Sequence, residues 1–422
     1  MDTRDFLYGL ERFGIKLGLD NVRALLASLA NPHLRLPAVH VAGTNGKGSV
    51  LAMLDAMLRA ADYDTGRFTS PHLLHVNERF LHNGRPIDDA RLDALVERIR
   101  AAVLELGLSP TFFEAVTAIA FQWFADLRVD CALVEVGMGG RFDSTNVIEP
   151  LATAITNIDL EHTQLLGDAL EKIAFEKAGI IKPRVPVVIS ETRPGPRDVI
   201  LDRARELHAP ALLLDRDFSF TAEGDAFDLR FTYDGPGGPI GPLRLGLAGR
   251  YQGPNAAVAT ALAATLRPRF PRLTAEAIAQ GLRDARWPCR LERVLERPLV
   301  IIDVAHNHAG AAKLAAELPR CLVVMAVSSD KAAGEMIAAL APVAERFILT
   351  RFTNPRSLSV SDLADAAGAH PHDVAPDLES ALARAFDRSG GETPIAVTGS
   401  IFTAGEARDI LMRRYAAPPL LF

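Results

Sequence analysis

Ala38-Val39-His40-Val41-Ala42-Gly43-Thr44-Asn45-Gly46-Lys47-Gly48-Ser49-Val50 is the stretch on which the fold turns. The run 38–42 is short and apolar enough for a buried strand. A glycine-rich turn follows, and then Val50, Met53, Leu54, Met57 and Leu58 fall at helical spacing. Strand, loop and helix in that order make half of a βαβ unit. Glycines let backbone N–H groups curl around a phosphate, the helix N-terminus adds a favourable dipole, Lys47 supplies a point charge and Ser49 can reach magnesium. Gly43, Thr44, Asn45, Gly46, Lys47, Gly48 and Ser49 are therefore candidate ATP contacts. The pattern GxxxxGK followed by Ser or Thr is not met in full, because Val41 stands at the first glycine and Gly48 separates Lys47 from Ser49. A glycine turn without a ligand is the competing reading of this segment taken alone.

Outward from this loop, Val22, Leu25, Leu26 and Leu29 mark an amphipathic helix ended by Asn31-Pro32. Buried-strand candidates lie at 131–136, 152–158 and 185–189, with helical patterns at about 168–178 and after Pro196. The segment 218–247 alternates around Asp234-Gly235-Pro236-Gly237-Gly238, the signature of a small antiparallel element beside the main sheet. Trp287-Pro288 and Arg297-Pro298 break the pattern, after which strands recur at 299–304, 322–327, 347–350 and 394–398. The expected division is a domain at 1–286, a linker at about 284–298 and a second domain at 291–422.

Bulk properties bound the function. A chain of 422 residues, 49% hydrophobic and 23% charged, has the balance of a globular protein with more than one core. Its formal charge of -6 argues against wholesale nucleic-acid binding and confines any phosphate site to a local basic pocket. Cys131, Cys289 and Cys321 form no CxxC pair, so neither a disulfide framework nor a cysteine zinc site is indicated. The start, Met1-Asp2-Thr3-Arg4-Asp5, shows no leader pattern, and no apolar run reaches the roughly 18 residues of a membrane span. A cytoplasmic protein without nucleic-acid or membrane partners is expected.

Glu135 closes an apolar strand just before the flexible turn 137–140, so its carboxylate belongs at the C-terminal edge where open α/β sheets hold ligands. His162 follows the next strand in the same way. Either is also compatible with an ordinary polar residue at a strand end. The loop 43–49 resembles the variant phosphate loop of the Mur ligase superfamily. Further segments resemble its folylpolyglutamate synthase and dihydrofolate synthase branch: Thr69-Ser70-Pro71-His72-Leu73 with Asn77-Glu78-Arg79, Thr111-Phe112-Phe113-Glu114, and the run from Glu135 through Gly137-Met138-Gly139-Gly140-Arg141-Phe142-Asp143-Ser144-Thr145-Asn146. Others are Glu176-Lys177-Ala178-Gly179-Ile180, Asn255-Ala256-Ala257, Asp303-Val304-Ala305-His306-Asn307 and Thr398-Gly399-Ser400. They span nearly the whole chain in the family's order.

The resemblance implies an α/β protein: an N-terminal P-loop ATPase-like domain with a mostly parallel sheet and a small antiparallel element, then a C-terminal Rossmann-like domain. It implies ATP as co-substrate and two magnesium sites. Ser70 and Glu135 would serve the first ion, and His162 the second together with Lys177 carbamylated by carbon dioxide. Lys47, Lys177, His162 and Glu135 would be catalytic. Asn255, Arg290 and Asp303 would join the loop on the nucleotide. Thr111, Phe112, Phe113, Glu114, Phe142, Asp143 and Ser144 would hold the pterin-bearing substrate, dihydropteroate or a reduced folate. His306 and Ser400 would hold incoming L-glutamate, and Arg356 is a further candidate carboxylate partner. A monomer is expected, and a need for a monovalent cation stays open.

Chemically, the implied reaction is phosphorylation of a carboxylate by ATP followed by attack of an amine on the acyl phosphate. Departures from the family pattern are Glu161 for Asp, Tyr251 for His, Cys289 for Gly and His308 for Pro. Two rival readings are a cell-wall ligase acting on a UDP-muramyl substrate and a non-enzymatic nucleotide-binding module. Segments 70–72 and 112–114 speak against the first, and the joint presence of Glu135, His162 and Lys177 against the second.

Overall fold

The computed structural model describes residues 3–14 and 18–422. Residues 1 and 2, on which the expectation about the chain's start partly rests, lie outside the described residues. Among the described residues, seventeen strands form three sheets. The largest contains β1 (Ala38–Ala42), β2 (Thr65–Phe68), β3 (Phe80–His82), β4 (Arg85–Pro86), β5 (Cys131–Glu135), β6 (Ala152–Ile155), β7 (Val187–Ile189) and β8 (Ala211–Leu213), in the order β4-β3-β2-β5-β1-β6-β7-β8. All its pairings are parallel except the β2-β3-β4 edge. Every residue of β1, β5 and β6 is buried, because helices cover both faces of the sheet.

On one face, Phe68, Ala132 and Val134 pack with the helices Asp20–Ser28, Asp89–Leu106 and Phe112–Leu127. On the other, Val39, Val41, Leu133 and Ala154 pack with the helices Lys47–Ala60, Gln252–Leu266 and Ala275–Asp284. The last of these lies so close to Lys47–Ala60 that a Cβ on Gly281 would stand 2.3 Å from the Met57 nitrogen. Any larger residue there would push apart the helix that carries the phosphate loop.

The alternating segment is the expected small antiparallel sheet: β9 (Ser219–Glu223), β10 (Arg230–Asp234) and β11 (Ile240–Arg244), with the glycine turn joining the last two. Phe231 and Tyr233 share a core with the helix Gln252–Leu266 and the main sheet, so the element packs beside that sheet. A third sheet follows: β12 (Glu292–Glu296), β13 (Leu299–Ile302), β14 (Cys321–Met325), β15 (Ala344–Leu349), β16 (His372–Val374) and β17 (Ile395–Thr398), ordered β12-β13-β17-β14-β15-β16. Only β12 runs antiparallel.

The strand predicted at 152–158 is shorter in the structure. It ends at Ile155 because Thr156 and Asn157 turn away to hydrogen-bond the phosphate loop. All three cysteines are free and buried, and burial raises each thiol's pKa. No helix among the described residues is long and apolar enough to cross a membrane.

Candidate active site

The phosphate loop occupies the C-terminal end of β1, between β5 and β6. This is the switch point of the sheet, where the chain continues to opposite sides. The Thr44 nitrogen donates to the Asn157 carbonyl at 2.8 Å, the Asn45 nitrogen to Asn157 Oδ1 at 2.9 Å, and Thr156 Oγ1 to the Asn45 carbonyl at 2.7 Å. Gly46 has φ +90°, and a Cβ there would stand 2.3 Å from Asn255 Oδ1. Lys47 folds back over its own loop, with Nζ donating to the Gly43 and Thr44 carbonyls at 2.8 and 3.1 Å. Its charge is thereby fixed beside the curled amides.

Glu135 is 5% exposed, and its Oε2 accepts from the Ser70 nitrogen at 3.1 Å. Burial raises its pKa, opposed by the charges of Lys47, Arg290 and Arg79 and by the Ser70 hydrogen bond. The loop that presents Ser70 is organised by Glu78, whose carboxylate accepts from the nitrogens of Leu73, Leu74 and His75. Arg79 donates to His72 Nδ1 at 2.9 Å. Burial and Arg79 push His72 down to about 3, which keeps it a neutral acceptor. The Ser-Pro-His and Asn-Glu-Arg segments are thus one self-braced loop holding Ser70 against Glu135.

Lys177 is 2% exposed on the helix Leu170–Ala178, and its Nζ lies 2.5 Å from Glu161 Oε1. Loss of hydration outweighs the attraction of Glu161, and with the repulsion of Lys47 it pushes Lys177 down to about 8. Burial opposes ionisation of Glu161, but Lys47 and Lys177 overcome it and hold the carboxyl below its usual range. His162 adopts φ +46° at the start of the short helix Thr163–Leu166, and its pKa is lowered by burial. Asp143 and Asn146 lock the preceding glycine loop in place. Asp143 accepts from the nitrogens of Met138 and Thr145 and from the Thr145 hydroxyl, while Asn146 Nδ2 donates to the Arg141 and Gly179 carbonyls.

Across the cleft, Asp303 follows β13. Its Oδ1 accepts from the Ala305 nitrogen, and its Oδ2 from the Leu291 nitrogen and, at 3.2 Å, from the Tyr251 hydroxyl. His306 Nδ1 donates to the Val304 carbonyl at 3.0 Å, which places the proton on Nδ1. Burial lowers its pKa and keeps it neutral. A cleft of ≈ 740 Å³ results, lined by the phosphate loop, Ser70, Glu135, Glu161, His162, Lys177, Asn255, Arg290, Asp303 and His306. It lies between the C-terminal edges of two parallel sheets.

The other candidates fall outside this lining. Thr111 and Glu114 form a reciprocal capping box at the start of Phe112–Leu127, with the Thr111 nitrogen donating to Glu114 at 2.6 Å. Phe112 stacks on Tyr8, whereas Phe113 packs under Gly137, where a Cβ would stand 2.4 Å from its ring. Phe142 is exposed beside Arg141, and Ser144 is buried. Ser400 is buried and caps the last helix by accepting from the Phe402 nitrogen at 3.2 Å. Arg356 is exposed and pairs with Asp330 at 3.6 Å. Sequence reasoning missed Thr156, Asn157 and Lys331, which acts electrostatically on both His162 and His306. Position at the C-terminal end of a strand is the signal that points to the first two.

Residues 289–401 match the family described as Mur ligase, glutamate ligase domain. The chain is 37% identical over 420 residues to the dihydrofolate synthase/folylpolyglutamate synthase of Bacillus subtilis, covering 96% of this chain and 98% of that protein. It belongs to the folylpolyglutamate synthase/dihydrofolate synthase family. Solved members are alike throughout. Mycobacterium tuberculosis folylpolyglutamate synthase complexed with ADP and AMPPCP has a TM-score of 0.89 at 35% identity, covering 97% of this chain and 99% of that one. E. coli FolC in complex with DHPP and ADP has 0.87 at 29%, covering 98% and 99%.

Proposed function

We propose that this chain is an ATP-dependent ligase that joins L-glutamate to dihydropteroate, to the γ-carboxylate of a reduced folate, or to both. The observation that carries the reading is the convergence of the phosphate loop, Glu135 and the buried Lys177 in one cleft whose opposite wall is the 303–307 loop. Names of full-length relatives support it: dihydrofolate synthase/folylpolyglutamate synthase in B. subtilis and M. tuberculosis. Two domains, divided near 284–298, would close on the three substrates.

The donors fit magnesium. Among the described residues no group of three or more His, Cys, Asp or Glu side chains is arranged to cage a metal. Magnesium takes oxygen ligands and keeps waters, and the Glu135 carboxylate and Ser70 hydroxyl line the cleft beside the phosphate loop. The Glu135 carboxylate, positioned by the Ser70 backbone nitrogen at 3.1 Å, and the Ser70 hydroxyl would hold the first ion. His162 and Lys177 as its carbamate would serve the second. Bound magnesium supplies charge neutralisation at the transferring phosphoryl group.

The chain's own groups do the rest. Loop amides 43–49 and Lys47 orient the phosphates and absorb charge as the substrate carboxylate attacks the γ-phosphorus and ADP leaves. A carboxylate repels nucleophiles; as an acyl phosphate it has a good leaving group. The amine of glutamate then attacks the same carbon, loses a proton, and expels phosphate. His306, neutral with Nδ1 committed to Val304, presents Nε2 as an acceptor on the glutamate side. Arg290 and Asp303 belong to the nucleotide side of the same wall. Phe113, under the glycine turn, is the pterin-side candidate best placed to act through the cleft wall.

ADP release measured with magnesium, glutamate and either dihydropteroate or tetrahydrofolate tests the reading, with products weighed by mass spectrometry. A product heavier by one glutamate residue is expected. No magnesium-dependent ADP release with either acceptor would overturn it.

A further inference from the structure

We infer that a second cavity, at the linker, is a binding site for a flexible oligoanion, a chain carrying several carboxylates or phosphates. The cavity measures ≈ 490 Å³ and is walled by three parts of the chain: the small antiparallel element, the linker, and the last helix with the tail beyond it. Six arginines line it, Arg244, Arg283, Arg286, Arg290, Arg293 and Arg408, against a single carboxylate, Glu292. A formal surplus of five positive charges is thus gathered in a chain whose net charge is -6. Such a concentration raises the local density of anions and is unfavourable to the fold unless compensated.

Compensation from within the chain is incomplete. Both oxygens of Glu292 are engaged, Oε1 by Arg408 at 3.0 Å and Oε2 by the Cys289 nitrogen at 2.8 Å. Arg408 is fully buried, yet its Nη1 has no hydrogen-bond partner among the described residues. A buried, charged donor left unpaired carries a large desolvation penalty, which negative charge in the adjoining cavity would offset through space. Arg244 and Arg293 have carboxylate partners, Asp228 and Glu296, on exposed surfaces where such pairs are weak. Arg283 and Arg286 have no carboxylate within ion-pair distance among the described residues, whereas Arg290 also lines the catalytic cleft, where its charge acts on Asp303 and Glu135. Several separated guanidinium groups suit a ligand whose charges are spread along a chain better than a single compact anion.

Trp287 lines this cavity, and its ring lies against Gly48 of the phosphate loop, where a Cβ would stand 2.8 Å from it. Its fluorescence therefore reports on the site, once Trp123, the other tryptophan, is replaced by Phe. The inference does not depend on which carboxylate the catalytic cleft uses. With the nucleotide cleft saturated by magnesium and ADP, the protein is titrated with tri-γ-glutamate and, separately, with inorganic tripolyphosphate. A saturable change in Trp287 emission is expected with at least one probe. Arg283→Gln and, independently, Arg293→Gln should each weaken it about tenfold, the loss expected for one charge-assisted contact. The tighter probe then identifies carboxylate or phosphate as the ligand's anionic group. No saturable response to either probe, or equal binding by the parent and both variants, would overturn the inference.

Discussion

Replacing Lys177 by arginine should abolish turnover while leaving ADP binding in place. A carbamate forms when a neutral amine attacks carbon dioxide and releases a proton, so the supply of neutral amine sets the rate. An ordinary lysine with pKa near 10.5 is neutral in only about one molecule in three thousand at pH 7. Burial brings Lys177 down to about 8, which makes about one molecule in ten neutral at the same pH. The gain is roughly three-hundredfold over a solvated lysine. Arginine, above about 12.5, offers about one neutral side chain in 10⁵ or fewer, so the adduct is lost. The sign with pH follows: at fixed dissolved carbon dioxide, adduct formation should climb about tenfold per unit up to pH about 8 and then level off. Carbon-13 NMR of protein exposed to labelled carbon dioxide should show a carbamate signal in the parent and none in Lys177→Arg. The ADP-release rate should fall by about 10³-fold or more, in step with the lost nucleophile. Near-normal turnover in Lys177→Arg, or a parent profile still rising steeply at pH 10, would refute the reasoning.

Glu161→Gln removes the charge that opposes desolvation of Lys177, so the midpoint of that pH profile should move below about 8; a move to higher pH would contradict the electrostatic account. Gly46→Ala introduces both a disfavoured φ and a clash with Asn255, and should weaken ADP binding at least about tenfold by calorimetry. Asn255→Ala in the same background should recover only part of the loss, because the backbone strain remains; full recovery would show that φ is unimportant there. Glu114→Gln keeps the size of the capping side chain but weakens its hold on the Thr111 nitrogen, and should cost about 0.5 to 2 kcal/mol in urea unfolding. If KM for dihydropteroate changes while unfolding does not, Glu114 is a substrate contact and its capping role is secondary.

The order β1, phosphate loop, helix is legible in the sequence because it is local. Strand burial, glycine spacing and helical periodicity all occur within about twenty residues and agree with one another. Glu135 was legible for the same reason, standing where an apolar strand gives way to glycines. The strand β2 was not, since it is four residues long and carries Gly66 and Arg67, so its β character comes from pairing with β5. Nor was the shortening of β6, which is imposed by hydrogen bonds to a loop more than a hundred residues away. Thr111-x-x-Glu114 is read from the sequence only as a family motif, and the structure shows that it is also a capping box. The pairing of Lys177 with Glu161 joins a helix to a loop sixteen residues earlier and depends on burial. No periodicity encodes that.

Because Cys131, Cys289 and Cys321 are all sequestered and driven away from the thiolate form, maleimide reagents should leave the native chain untouched at neutral pH. One cysteine engineered on the surface of each half would then be the only place a dye can attach. Energy transfer between two such dyes would turn the width of the gap above Lys47 into an optical signal, molecule by molecule, during turnover.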